Sequence, residues 1–213
     1  MAAGVKRRYE SPRRREQAAA TRRQILDAAQ RLFEVQGYAA TPMSAIADEA
    51  GVALKTVYVA FETKSGVLRA LWNLLLRGDE ADVPIPERAW YRQVLAETDA
   101  ERAIRLGAKN SRLVKERAGG VLAVIRNAAH SDPDVGELWG RIQTEFYDNQ
   151  HAVVERLHKL KALKPGLGVT RGADLLWSLN HPDVWELLVR QRGWTPAQYE
   201  RWLGDTLVDQ LLR

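Results

Sequence analysis

The sequence predicts an all-α fold, with a three-helix unit at the N-terminus ahead of a larger helical domain. Three observations carry this. Apolar residues recur at three- and four-residue spacing through most of the 213 residues. No stretch alternates apolar and polar residues long enough to make a strand. Gly, Pro, Ser, Thr and Asp fall between the periodic segments, where helices stop and restart.

Residues 1–16 carry no apolar period and read as a disordered basic arm, with Ser11-Pro12 and Arg13, Arg14 and Arg15. From Gln17 a helix is expected, with Ile25, Ala28, Ala29, Leu32 and Phe33 on one face. Gly37 ends it as a left-handed C-cap would. Thr41-Pro42 reads as an N-cap followed by proline in the first turn of a short second helix. That helix closes at Ala50-Gly51, a third runs from Leu54 to Phe61, and a fourth starts near Lys64 with Val67, Leu68, Leu71, Leu74 and Leu75 along one side.

GDEADVPIPERAW, residues 78–90, is acidic and proline-rich and reads as a loop. Helical patterns resume at 91–96, 98–109, 111–129, 133–161, 170–179, 182–191 and 195–212. Gly119-Gly120, Asp132-Pro133, Pro165-Gly166, Pro182 and Gly193 mark the breaks. Ser131, Thr170 and Thr195 are candidate N-caps. The domain plan is an arm over 1–16, a helix-turn-helix domain over 17–63 and a C-terminal domain over 64–213.

Composition narrows the function. There are no cysteines, which excludes disulfides and thiolate metal sites and fits a cytoplasmic protein. The first residues lack the apolar run of a signal peptide, and nowhere do about 18 apolar residues run together, so no membrane span is expected. The net charge of +5 is unevenly placed. Residues 1–70 carry 12 Lys/Arg against 7 Asp/Glu, whereas residues 71–213 carry 20 of each. A basic end on a neutral body suggests a polyanionic partner at that end. A solubilising tail is the plainer account of the same charge.

The break at Gly51 answers a geometric need. A helix-turn-helix crosses two short helices steeply over a turn of a few residues. The first helix needs a small residue where it faces the second, and the turn needs a residue that tolerates positive φ. Ala47 and Gly51 meet those two needs. Ile46, Ala50, Val52, Val57 and Ala60 supply apolar inward positions.

Residues 22–76 then resemble the DNA-binding domain of TetR-family transcriptional regulators. The resemblance is carried by TRRQILDAAQRLFEVQGYAATPMSAIADEAGV and TVYVAFETKSGVL. It implies that the helix starting near Ala53 enters a DNA major groove. Val57 and Phe61 point inward, which leaves Leu54, Lys55, Thr56, Tyr58 and Val59 outward. Lys55 suits guanine O6/N7, and Thr56 can donate or accept. Leu54 and Val59 can meet thymine methyls or pack on neighbouring helices. Tyr58 and Lys64 are similar in position to the family's phosphate-binding residues, and Thr41 stands at a helix start where a phosphate is favoured. Two positions depart from the pattern. Ala53 replaces a usual Ser and forgoes a cap worth about 1 kcal/mol. Ala60 replaces an aromatic or His. Arg22, Arg23 and the arm arginines are the candidates to compensate.

The resemblance also implies a homodimer on a pseudo-palindromic double-stranded DNA operator, joined through the last two long helices, here drawn from 170–191 and 195–212. Leu175, Leu176, Leu179, Trp185, Leu188, Tyr199, Trp202, Leu203, Leu207 and Leu211 supply apolar surface for core and interface together. It implies, further, a small-molecule effector of unknown identity bound among helices from 64–77 and 98–160. Trp72, Arg112, Arg126, His130, Trp139, Phe146 and Tyr147 are candidate pocket residues, each of which core packing or surface pairing also explains.

No catalytic motif appears. His151 and His158 are seven apart with no third ligand at metal spacing, and there is no HExxH, no Gly-rich phosphate loop and no G-x-S-x-G elbow. No metal, cofactor or enzymatic activity is expected. The expected function is a ligand-responsive transcriptional repressor. The rivals are an effector-independent structural or cell-division protein using the same head, and an enzyme with a DNA-binding head attached.

Overall fold

The computed structural model describes residues 12–78 and 84–213. Its elements are all helical: α1 (Pro12–Gln36), α2 (Met43–Glu49), α3 (Leu54–Phe61), α4 (Lys64–Arg77), a 3₁₀ turn (Ile85–Glu87), α5 (Ala89–Ala96), α6 (Ala100–Ala128), α7 (Pro133–Lys159), α8 (Val169–Leu179), α9 (Pro182–Trp185) and α10 (Pro196–Leu211). Among the described residues the one β feature is an isolated bridge between Leu163 and Leu212. The chain divides into two compact units, residues 1–71 and 72–213, and α4 contributes to both.

In the first unit Ile25, Ala28, Ala29 and Phe33 of α1 are fully buried, with Ile46, Ala47 and Val57 against them. These are the positions that the three- and four-residue spacing selects. The Gly37 N–H bonds Phe33 O at 3.0 Å and closes α1. At the end of α2 the Gly51 N–H bonds Asp48 O and the Val52 N–H bonds Ala47 O, at 3.1 and 3.0 Å. That pair of bonds is a Schellman ending, and it sets Gly51 at φ 65°, where a Cβ is penalised. The chain therefore leaves α2 and enters α3 within a few residues.

A second close approach follows. The Thr63 hydroxyl accepts the Gly66 N–H at 3.0 Å and starts α4. A Cβ on Gly66 would lie 2.2 Å from Phe61 O, so only glycine lets α4 begin this near the end of α3.

The second unit packs α10 on α6 and α8 on α7, with α5 laid against α6 and α7. Its core holds Ile104, Val154, Leu157, Ala173, Leu176, Trp185, Tyr199, Leu203, Leu207 and Leu211. Thr195 caps α10 in a full capping box with Gln198, as its position before Pro196 predicts.

Several boundaries differ from expectation. The arm's residues 1–11 lie outside the described residues, and Pro12 to Glu16 form the start of α1 instead of continuing the arm. Proline at the first helical position followed by Arg, Glu and Gln favours helix there. The N-cap of α2 is Pro42, not Thr41. Within 78–90 the chain already makes the 3₁₀ turn and begins α5. The helices expected over 98–109 and 111–129 are one, since α6 runs unbroken through Asn110, and Gly119-Gly120, expected to mark a break, also sits inside it with the Trp185 indole beside Gly119. Asp132 caps α7 in place of Ser131, and Gly168 stands at the N-cap of α8 in place of Thr170. From Glu186 to Gln191 the helix after Pro182 widens into a π-helix, which no residue pattern announced.

Candidate nucleic-acid interface and ligand cavity

The exposed face of α3 is built by what the opposite face must bury. Val57 and Phe61 face the core, so Lys55, Leu54, Tyr58 and Val59 are left outward, the last three at 41, 48 and 77 % exposure. Thr56 is half-buried. Two apolar side chains and a tyrosine in solvent on one short helix, with a lysine among them, form a surface that core packing does not account for. Leu54 and Val59 do not pack into this unit's core.

The other candidates make contacts within the first unit, and Arg22 alone of them reaches α3 itself. Arg22 reaches back from α1, donates to Ala60 O at 2.7 Å and lies 4.2 Å over the Phe61 ring. A guanidinium on a last-turn carbonyl stabilises the helix end. Arg23 pairs with Asp27 at 3.0 Å within α1. Lys64 donates to Tyr38 O at 2.8 Å and sits 4.2 Å over the Tyr38 ring. Thr41 is fully buried, and its hydroxyl donates to Gly37 O at 2.8 Å while accepting from Gln36 at 3.2 Å. It therefore braces the turn between α1 and α2 instead of presenting a hydroxyl at a helix start. Ala53 at the N-cap of α3 makes no side-chain cap bond.

The second unit contains a cavity of about 170 Å³. Its walls come from α5, α6 and α7, the last turns of α4, and the inward ends of α8 and α10. They are mostly apolar, with Trp72, Trp90, Val94, Ile104, Ile142 and Phe146 among them. Two of the seven expected pocket residues, Trp72 and Phe146, line it. Arg126 and Trp139 border a separate, smaller recess, and Arg126 is paired with Asp183. Arg112 bridges Glu116 and Glu200 at 2.5 Å each, and the Tyr147 hydroxyl donates to Asp174 at 3.1 Å. His130 lines neither. Surface pairing thus claims the arginines that suggested an anion-binding pocket.

A lysine that the sequence reading passed over stands at the cavity instead. Lys115 is buried, and its ammonium nitrogen lies 2.7 Å from Asn180 O, from Asn180 Oδ1 and from the Tyr199 hydroxyl, and 2.9 Å from Ser111 Oγ. Burial pushes its pKa well below the ordinary lysine value. Burial also pushes the hydroxyl of Tyr91, another wall residue, up to about 12. Asn180 O is a free-end carbonyl of α8, so the lysine also meets the negative end of that helix. Its signal was present in the sequence. Ile104, Ala108, Ser111, Lys115, Ala118, Leu122 and Ile125 form one helical stripe, and a lysine in a stripe that is apolar apart from Ser111 must be buried with partners. Nearby, the Asp183 N–H points at His181 Nδ1, which leaves His181 Nε2 to donate to Gln143 Oε1 at 3.2 Å. Burial, then the charges of Lys115 and Arg126, lower the His181 pKa and favour this neutral form.

Comparisons with known proteins agree with this architecture. The family model described as bacterial regulatory proteins, tetR family, matches residues 25–71. The HTH-type transcriptional regulator AcrR of Shigella flexneri is 40 % identical over 60 residues, which span 28 % of this chain and 28 % of that protein. NalD of Pseudomonas aeruginosa, the secondary repressor of the MexAB-OprM multidrug efflux pump, superposes with a TM-score of 0.70 at 22 % identity, covering 93 % of this chain and 98 % of NalD. The regulator FadR of Bacillus subtilis, solved with stearoyl-CoA, gives 0.67 at 17 % identity over 87 % of this chain and 97 % of its own. These two structures share the fold through both units. Residues 25–71, which hold the helix-turn-helix of α2 and α3, are thus the segment that matches the tetR family model.

Proposed function

We propose that the protein is a transcriptional repressor that binds a pseudo-palindromic operator as a homodimer and responds to a small molecule held in the second unit. The observation that carries the DNA-binding part is the outward face of α3. Leu54, Lys55, Tyr58 and Val59 stand exposed on a helix whose other face is locked by Val57 and Phe61. Lys55 and Thr56 read base edges, while Tyr58 and Lys64 grip phosphate. Arg22 positions α3 through Ala60 O and the Phe61 ring, and both Arg22 and Arg23 raise the local positive potential.

Dimerisation is assigned to α8 and α10. Leu176, Trp185, Tyr199, Leu203, Leu207 and Leu211 are buried within the protomer, so they serve its core. Leu175, Leu179, Leu188 and Trp202 are only partly covered and supply the interface. NalD is a repressor and FadR is bound to stearoyl-CoA, which supports repression and ligand response here by likeness of fold. The regulatory step is a coupling: a ligand lowers operator affinity by the factor by which it prefers the weakly binding state.

Genome-wide mapping of bound sites in the native host tests this reading. One two-fold symmetric sequence at a few promoters is expected. Sites scattered without a shared palindrome, unaltered by Lys55→Ala, refute it and favour a structural DNA-binding role.

A further inference from the structure

Four features of the cavity bear on what it holds. Its volume of about 170 Å³ is close to that of engineered apolar cavities that accept a benzene ring, about 150 Å³. Its walls are mostly aromatic and aliphatic, with amides, Ser111, Lys115 and Glu145 among them. Among the polar side chains on its lining, Lys115 is the one cation, and Gln143 carries an amide nitrogen with no partner among the described residues. The Gln143 amide nitrogen is buried, while its oxygen meets His181 Nε2.

Lys115 carries the argument further. Its neighbours are two oxygens of Asn180 and two hydroxyls, and no carboxylate among the described residues lies at ion-pair distance. A buried cation without a counter-charge is costly, and the site reduces that cost only with neutral dipoles. An ammonium has three N–H groups, here facing four acceptors. Ser111 Oγ holds the longest of the four contacts and already has its own partner in Asn180 Oδ1 at 2.5 Å. An incoming oxygen can therefore replace Ser111 at Lys115 without orphaning a buried group. The carboxylate on the lining, Glu145, is exposed, where water and salt screen it.

We propose that this cavity binds a small aryl carboxylate, its ring among the aromatic walls and its charged oxygens on Lys115 Nζ and Gln143 Nε2. This rests on the reading that the cavity is the effector site. The anion supplies the counter-charge that Lys115 lacks and an acceptor for the unpaired amide. A neutral ring of equal size gains the apolar burial alone.

Isothermal titration of the full-length protein at pH 7 with benzoate, benzamide and benzyl alcohol tests it. Benzoate is expected to bind at least about tenfold more tightly than benzamide, as charge-assisted bonds in a dry site imply. In Lys115→Met the preference should fall to within about threefold while benzamide affinity is kept. Near-UV circular dichroism checks that the variant is folded. Gln143→Leu, on a half-buried position, should weaken benzoate by about threefold or more and serves should Lys115→Met not fold. Equal binding of benzoate and benzamide, or a preference unchanged in both variants, overturns the anion assignment and leaves the effector cavity standing. Absence of binding by all three probes overturns the cavity as a ligand site as well.

Discussion

Gly66→Ala should destabilise the protein even though alanine is the better helix former. The position is the third residue of α4, where replacing glycine by alanine ordinarily gains up to about 1 kcal/mol. Here the added carbon would sit 2.2 Å from Phe61 O. A comfortable carbon–oxygen separation is about 3.3 Å, so carbonyl and helix must part by roughly 1 Å. The obstacle is backbone, which cannot rotate away as a side chain would. It also lies at the end of α3, where Glu62 already occupies a positive φ of 62°. Overpacking of this kind costs about 1–3 kcal/mol, and a rigid obstacle puts this case at the upper end. The net loss is then about 2 kcal/mol, or roughly 4–8 °C in Tm for a chain of this length. Thermal unfolding followed at 222 nm measures it, with Gly107→Ala as control. Gly107 lies inside α6, and a Cβ added there would meet nothing within 4 Å, so that change should be neutral or stabilising. A Gly66→Ala protein that melts within about 2 °C of wild type would refute the claim that this contact fixes the spacing of α3 and α4.

Three further outcomes are expected. Gly51→Ala, at φ 65° in open space, should cost about 1–2 kcal/mol through backbone strain alone, measured by urea unfolding. Lys55→Ala and Thr56→Ala should narrow the affinity ratio between operator and scrambled DNA, whereas Tyr58→Phe should weaken both alike; fluorescence anisotropy distinguishes the two patterns, and an unchanged ratio counts against base reading by α3. His181 has a pKa lowered below 6.5 in the folded protein, through burial and then Lys115 and Arg126. The unfolded chain therefore binds the proton first as pH falls. The contribution of His181 is whole above pH 6.5 and is lost as pH drops through the folded value. Arg126, Asp183, Gln143 and the Phe146 and Trp177 rings surround it, and His181→Asn keeps a capping side chain for α9. That variant should flatten the slope of stability against pH below 6.5, as urea midpoints at pH 5 and 7.5 will show.

The first unit was readable because its signals are local. Phe33, Gly37, Ala47, Gly51, Val57 and Phe61 follow from period and turn chemistry within a few residues of one another, and each falls where expected. The outward set on α3 followed by elimination, since a helix with Val57 and Phe61 inside fixes which side chains remain. Thr41 misled because threonine before proline reads as a cap, while its hydroxyl had a nearer acceptor in Gly37 O.

In the second unit the sequence by itself determined that the chain is helical, that Thr195 starts the last helix and which stripes face inward. Periodicity names a buried face but not the neighbour it meets. Only the tertiary structure decided that Arg112 and Arg126 are consumed by Glu116, Glu200 and Asp183, partners from 4 to 88 positions away. It alone decided that Trp72 and Phe146 open onto one cavity with Lys115, Asn180 and Gln143. A cavity is the space left between helices whose packing depends on every side chain at once, and no local pattern in the chain encodes a void.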